Sequence, residues 1–141
     1  MKRFEIALKI LPLLLLFSAA CAFAAGAKGT VMQTKNTFYT ISAQEAKKRM
    51  DSGRPVVIVD VRTKSEYDED HIPNAVLIPN ETIGSERPAA LPDLNAEILV
   101  YCRSGARSRA ASQKLANLGY TAIYNFGGIT DWPYETVKTA R

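Results

Sequence analysis

A chain of 141 residues has room for one domain of ordinary size, with a core that needs no disulfide staples. Its net charge of +4 moves toward neutrality once the first residues, with Lys2, Arg3, Glu5 and Lys9, are set aside. The remaining cations are scattered except in one loop, so no block of like charge is left to track a nucleic-acid backbone, and a nucleic-acid partner is excluded.

The N-terminus opens with a positive start at Met1-Lys2-Arg3, followed by an apolar run from Ile10 to Phe17. That run is too short for a spanning helix of about 20 residues. Small residues from Ser18 to Ala25 come next. The pattern predicts a secretory signal peptide over residues 1–24, with Ala22-Phe23-Ala24 as an A-x-A cleavage site. Ser18-Ala19-Ala20-Cys21 loosely resembles a lipobox, so lipidation of Cys21 is the alternative route, and the only one that brings a membrane partner. A retained signal anchor is a third reading. Either cleavage route exports the domain, and a periplasmic location is expected. Cys102 is then the one thiol of the mature chain, and an unpaired thiol in an oxidising compartment points to reactivity. A buried, inert cysteine is the plain alternative.

Residues 25–37 are small and polar and read as a flexible lead-in to a domain over 38–137. Phe38 to Ile41 is a short β-type run. Ser42 and Glu45 have the spacing of a capping box, and Ala43, Ala46 and Met50 share one helical face. Gly53 and Pro55 end that helix. Val56 to Val59 is a continuous β-branched run, as in a strand covered on both faces, with Asp60-Val61-Arg62 at its C-terminal end. Thr63 to Asp70 is a polar, helix-capable turn. His71-Ile72-Pro73-Asn74 forms a turn before a short strand at Ala75 to Ile78. Pro79 to Asn95 is irregular, with room for one short helix. Glu97 to Tyr101 is a second buried strand, and the segment Cys102 to Arg107 leaves it. A helix follows from Ala106 to Leu118, stopped by Gly119. Thr121 to Tyr124 is the last strand, and Gly127-Gly128 opens a terminal turn with Trp132. Strands alternating with helices predict a parallel α/β sheet with helices on both faces. Ligands of such sheets bind beyond the carboxyl ends of the strands, where Cys102 falls.

The loop after Cys102 is built to hold an anion. The following helix supplies free N–H groups and a positive dipole end. Ser104 and Gly105 let the backbone curl, so successive N–H groups converge. Arg103 and Arg107 add permanent charge, and Ser108 adds a hydroxyl. Such a loop stabilises a thiolate and receives an anionic sulfane donor such as thiosulfate. The chemistry expected is covalent and ping-pong: Cys102 takes the sulfur as a persulfide, and a thiophilic acceptor removes it. Asp60 and Arg62 are expected to be structural near the site, with a direct substrate role for Arg62 as the lesser reading. His71 is assigned a structural hydrogen bond, and Trp132 a packing role. No cluster has metal-ligand spacing and no phosphate loop of the P-loop kind is present, so neither metal nor cofactor is expected.

Cys102-Arg103-Ser104-Gly105-Ala106-Arg107-Ser108 resembles the active loop of rhodanese-like sulfurtransferases. Asp60-Val61-Arg62, Glu66-Tyr67 and His71-Ile72-Pro73 are similar to the upstream signature of that family, and Gly127-Gly128-Ile129 with Trp132 to its closing motif. With the signal peptide, the chain is most similar to exported single-domain members of the phage-shock-protein-E type. The resemblance implies a five-stranded parallel sheet, Cys102 as sulfur acceptor, and loop N–H groups around it. Asn74 stands where Gly is usual and tolerates the same left-handed backbone. Two rivals remain. Cysteine phosphatases place an arginine after five intervening residues, whereas Arg107 follows Cys102 after four, and the loop lacks an acid for a leaving alcohol. A persulfide carrier or protein-binding module with little turnover is the second, with a protein as sulfur acceptor. A monomer is expected at this size.

Overall fold

The structure is a computed structural model that describes residues 37–140. The signal-peptide and Cys21 readings, and nearly all of the lead-in, lie outside the described residues. Strands and helices alternate as β1 (Tyr39–Thr40), α1 (Ala43–Met50), β2 (Val56–Asp60), α2 (Lys64–Glu69), β3 (Val76–Leu77), β4 (Glu97–Cys102), α3 (Ala106–Asn117) and β5 (Ala122–Gly128). Single 3-10 turns lie at Asn80–Thr82 and Ile129–Asp131. The strands form one five-stranded sheet in the order β1-β5-β4-β2-β3, parallel at every pairing.

The central strand shows why its sequence is apolar throughout. Successive side chains of a strand point to opposite faces. Ile98, Val100 and Cys102 enter one core layer with Ala111, Leu115 and Ala116 of α3. Leu99 and Tyr101 enter the other, with Ala46 of α1, Ile72 and Trp132; Tyr67 of α2 packs against the same layer. Helices therefore cover both faces, and both faces of β4 are dry. Because the period places Cys102 on the α3 face, its sulfur lies under the first turn of that helix.

Local chemistry departs from expectation in three places. Ser42 caps α1 by accepting the Glu45 N–H at 3.1 Å, but the Glu45 carboxylate turns to Arg49 at 3.1 Å, so the box closes on one side only. The complete capping box belongs to α2: Thr63 Oγ1 accepts the Glu66 N–H at 3.3 Å and Glu66 Oε2 accepts the Thr63 N–H at 2.9 Å. The segment read as a helix-capable turn is thus a capped helix. The last strand runs past Tyr124 to Gly128, through buried Asn125, whose Oδ1 accepts the Gly127 N–H at 3.2 Å. That local bond satisfies a polar side chain which, in the sequence, interrupts the apolar pattern. Asn74 adopts a φ of 65°, the conformation for which glycine is usual.

Candidate active site

Cys102 is the last residue of β4 rather than the first of the loop. The β4–β5 register shifts between Val100 and Cys102, so that Cys102 pairs with Gly128. Gly105, at φ 104°, turns the chain into α3 as its N-cap and offers no capping side chain. In its place Cys102 Sγ accepts the Gly105 N–H at 3.0 Å. Burial opposes ionisation of this thiol, which is only 1% exposed. Hydrogen bonds from the Ser108 backbone and hydroxyl, and from the Gly105 and Ser104 backbones, outweigh it and bring the pKa below that of an ordinary thiol. A thiol that is buried and still acidified marks a candidate functional site.

The end of β5 holds the loop in this shape. A Cβ on Gly128 would collide with the Arg103 carbonyl oxygen and lie 2.7 Å from Ser104 Cα. Only glycine lets the two backbones approach so closely. Thr130 closes the same contact, donating its hydroxyl to the Arg103 carbonyl at 3.0 Å and its N–H at 3.3 Å. The Ser108 hydroxyl lies 3.0 Å from the Gly105 carbonyl and 3.2 Å from the Gly127 carbonyl. Ser108 thus ties helix, loop and strand together at the sulfur.

The arginines have three different fates. Arg107 makes two hydrogen bonds of 2.8 Å to the two carboxylate oxygens of Glu66. This bidentate pair draws the Glu66 carboxyl down to about 2, chiefly through the Arg107 hydrogen bond. The Cys102 charge also favours the Arg107 cation, so the guanidinium lies within electrostatic reach of the sulfur. Arg103 is exposed and forms no ion pair among the described residues. Arg62 is buried against Asp60, donating from Nε at 3.0 Å and from its terminal NH2 at 2.8 Å, and it reaches Asp70 Oδ1 at 3.2 Å. Burial works against the Arg62 charge, but the Asp60 carboxylate more than offsets it and its pKa rises. Asp60 also accepts the Arg62 backbone N–H at 2.9 Å.

Of the residues singled out in the sequence, Gly105 donates its N–H to the Cys102 sulfur, and the Ser104 and Ser108 donors also favour the thiolate. Ala106 is the exposed first residue of α3. Asp60 and Arg62 form a separate buried pair. His71 accepts or donates at the Tyr67 carbonyl, 2.8 Å from Nδ1, and its ring stacks on Tyr67 at 3.8 Å. Glu66, the partner of Arg107, is named in the sequence only within the family-like upstream motif, with no role assigned to it at the site. Its signal was the Thr63-x-x-Glu66 capping spacing, which aims a carboxylate back over the start of α2.

The fold is thus a parallel α/β sheet that presents an acidified cysteine at the N-terminus of a helix. The rhodanese-like domain family matches residues 42–134, and the chain belongs to that family. Over 80 residues it is 35% identical to the thiosulfate sulfurtransferase PspE of Escherichia coli, covering 57% of this chain and 77% of that protein. It is 39% identical over 95 residues to the probable adenylyltransferase/sulfurtransferase MoeZ of Mycobacterium tuberculosis, which is 66% of this chain but 24% of that longer protein. A solved structure described as a rhodanese with anions from E. coli matches with a TM-score of 0.55 at 36% identity, covering 60% of this chain and 99% of that one. These relatives support sulfur transfer as the general chemistry of the chain.

Proposed function

We propose that the protein is a thiosulfate sulfurtransferase in which Cys102 is the catalytic residue. The observation that carries this reading is a buried thiol at the start of α3 whose sulfur accepts the Gly105 N–H at 3.0 Å and whose pKa lies below that of an ordinary thiol. The Cys102 thiolate attacks the outer sulfur of thiosulfate. A sulfur–sulfur bond forms to Cys102, the bond to the sulfonate sulfur breaks, and sulfite leaves with its electron pair. The persulfide anion takes over the hydrogen bonds that held the thiolate. A thiophilic acceptor then attacks the outer sulfur and returns Cys102 as thiolate. The loop suits one sulfur atom more than a tetrahedral phosphate, because four residues rather than five separate Cys102 from Arg107. We also propose that residues 1–24 direct export, with the domain working in the periplasm; the mass of the mature chain from its native host tests this, and an intact Met1 would refute it.

Intact mass before and after thiosulfate tests the mechanism. The expected result is one added sulfur, removed by cyanide and absent in Cys102→Ser, which retains the wild-type unfolding midpoint. Sulfur transfer by the Cys102→Ser variant would refute it. Absence of any adduct would favour the carrier reading, in which the persulfide is loaded by a protein donor.

A further inference from the structure

The Glu66 carboxylate is held from two directions. The N–H and the hydroxyl of Thr63 both donate to Oε2 at 2.9 Å, and the terminal nitrogens of Arg107 donate to Oε2 and Oε1 at 2.8 Å. The two holds differ in stiffness. Thr63 is the N-cap of α2, so its donors are fixed by the helix start and keep the carboxylate in place. Arg107 comes from the first turn of α3 on a long side chain that is 30% exposed. Glu66 is therefore the fixed member of the pair and Arg107 the movable one.

The pairing also sets charge. Arg107 lies within electrostatic reach of Cys102 on β4 and of Glu81 in the 3-10 turn Asn80–Thr82. Among the described residues, only Glu66 forms an ion pair with it. A carboxylate on both terminal nitrogens cancels much of the positive field that the guanidinium would direct at the sulfur. It also fills the fork that an oxyanion would use.

We propose that Glu66 is a positioning residue acting through Arg107, and that it limits both the activation of Cys102 and the grip of the loop on an oxyanion. The inference rests on the thiosulfate reading and deepens it. The sulfonate of thiosulfate has to draw Arg107 out of an existing pair, so the gain from the new contact is offset by loss of the old one. The same competition acts on departure. Once sulfite has formed, Glu66 is in place to take Arg107 back, and the product is released rather than retained.

Glu66→Gln tests this, because the amide keeps an oxygen for the Thr63 N–H and loses the charge opposite Arg107. One readout is alkylation of Cys102 by iodoacetamide, a neutral reagent, at a pH well below the thiol's midpoint. The other is steady-state transfer from thiosulfate, with sulfite as inhibitor. Glu81→Gln removes an equal charge that forms no ion pair with Arg107, and so calibrates the long-range effect. In Glu66→Gln the alkylation rate should rise about threefold, and the thiosulfate KM and the sulfite inhibition constant should each fall about threefold, the size of a partly exposed ion pair. A merely structural Glu66 would not produce gains of this sign. Glu81→Gln should move each quantity much less. In an Arg107→Gln background, the effects of Glu66→Gln should shrink to the size seen for Glu81→Gln. A KM that rises, constants that stay at wild-type values, or gains that persist undiminished without Arg107 would overturn the proposal. If thiosulfate never loads sulfur onto the wild-type protein, but alkylation quickens in Glu66→Gln and only with Arg107 present, the sulfurtransferase reading falls and the control of the thiol by Glu66 stands. If thiosulfate loads and turns over while Glu66→Gln changes nothing, the reverse holds.

Discussion

Two arginine–carboxylate pairs lie beside the same end of the sheet and have opposite characters. Arg62 and Asp60 are 3% and 0% exposed at their side chains, while Arg107 and Glu66 are 30% and 24% exposed. Both are fork-on-carboxylate contacts of similar length. The Asp60 carboxylate binds the Arg62 side chain and its backbone N–H, and the same guanidinium reaches Asp70, so the pair locks the C-terminal end of β2 to the end of α2. Glu66 holds Arg107 across from α2 to the first turn of α3, where water reaches both groups. Burial thus separates a pair that fixes the site's frame from a pair that can exchange partners. An incoming anion can draw Arg107 from Glu66 at modest cost, whereas nothing can replace Asp60 without stranding a buried charge.

The largest effect that would sharpen this contrast is on stability. Arg62→Ala leaves Asp60 buried and unpaired and is expected to cost about 3–5 kcal/mol. Arg107→Ala should cost about 1 kcal/mol or less. It should instead raise the thiosulfate KM several-fold, with a smaller change in kcat. Urea unfolding and steady-state kinetics on both variants check the pair. Equal losses of stability, or unchanged kinetics in Arg107→Ala, would break the comparison.

Next in size is Gly128→Ala. The added methyl meets backbone at Arg103 and Ser104, not a side chain that can rotate away. The loop must shift, at a cost of about 1–3 kcal/mol. Because the Cys102 donors belong to that loop, the thiol should also lose acidity. The pH midpoint for alkylation of Cys102 should rise toward that of an ordinary thiol, about 8.5. An unchanged midpoint would mean that the N–H groups hold the sulfur independently of β5.

How much of this was legible in the sequence follows from how local each interaction is. The strand at Glu97–Cys102 was readable because an unbroken apolar run has one physical use, burial on two faces. The cysteine loop was readable because its donors lie within six residues of the sulfur. The extension of β5 through Asn125 was not, since the partner that satisfies its amide is visible only once the chain bends at Gly127. Glu66 was hidden for a different reason. Its capping role is local and was available from Thr63-x-x-Glu66, but its hold on Arg107 spans 41 residues, and no spacing rule reaches that far. The division between Arg62 and Arg107 likewise depends on burial. In sequence both are cations near a strand end, and Arg107 reads as a substrate or persulfide contact with a surface ion pair as the alternative; only the fold shows that its ion-pair partner is Glu66.

The smallest effect comes from that carboxylate and is read through pH. The folded pKa of Glu66 is depressed to about 2, against about 4.3 for an unperturbed glutamate. A depressed value means that the unfolded chain binds the proton first as pH falls. The contribution of the pair is therefore complete above about pH 4.3 and fades as pH drops through about 2. With both side chains partly exposed, solvent screening limits that contribution to about 1 kcal/mol. Glu66→Gln keeps a side-chain oxygen for the Thr63 N–H but loses the charge opposite Arg107. The stability gap between wild type and Glu66→Gln should be constant from pH 7 to pH 5 and narrow toward pH 3. A gap that keeps its size to pH 3 would mean that Arg107 does not hold the carboxylate in solution. Arg107 would then stand free over the cysteine loop, and the contrast between a locked and an exchangeable pair would have to be redrawn as one between a paired and an unpaired arginine.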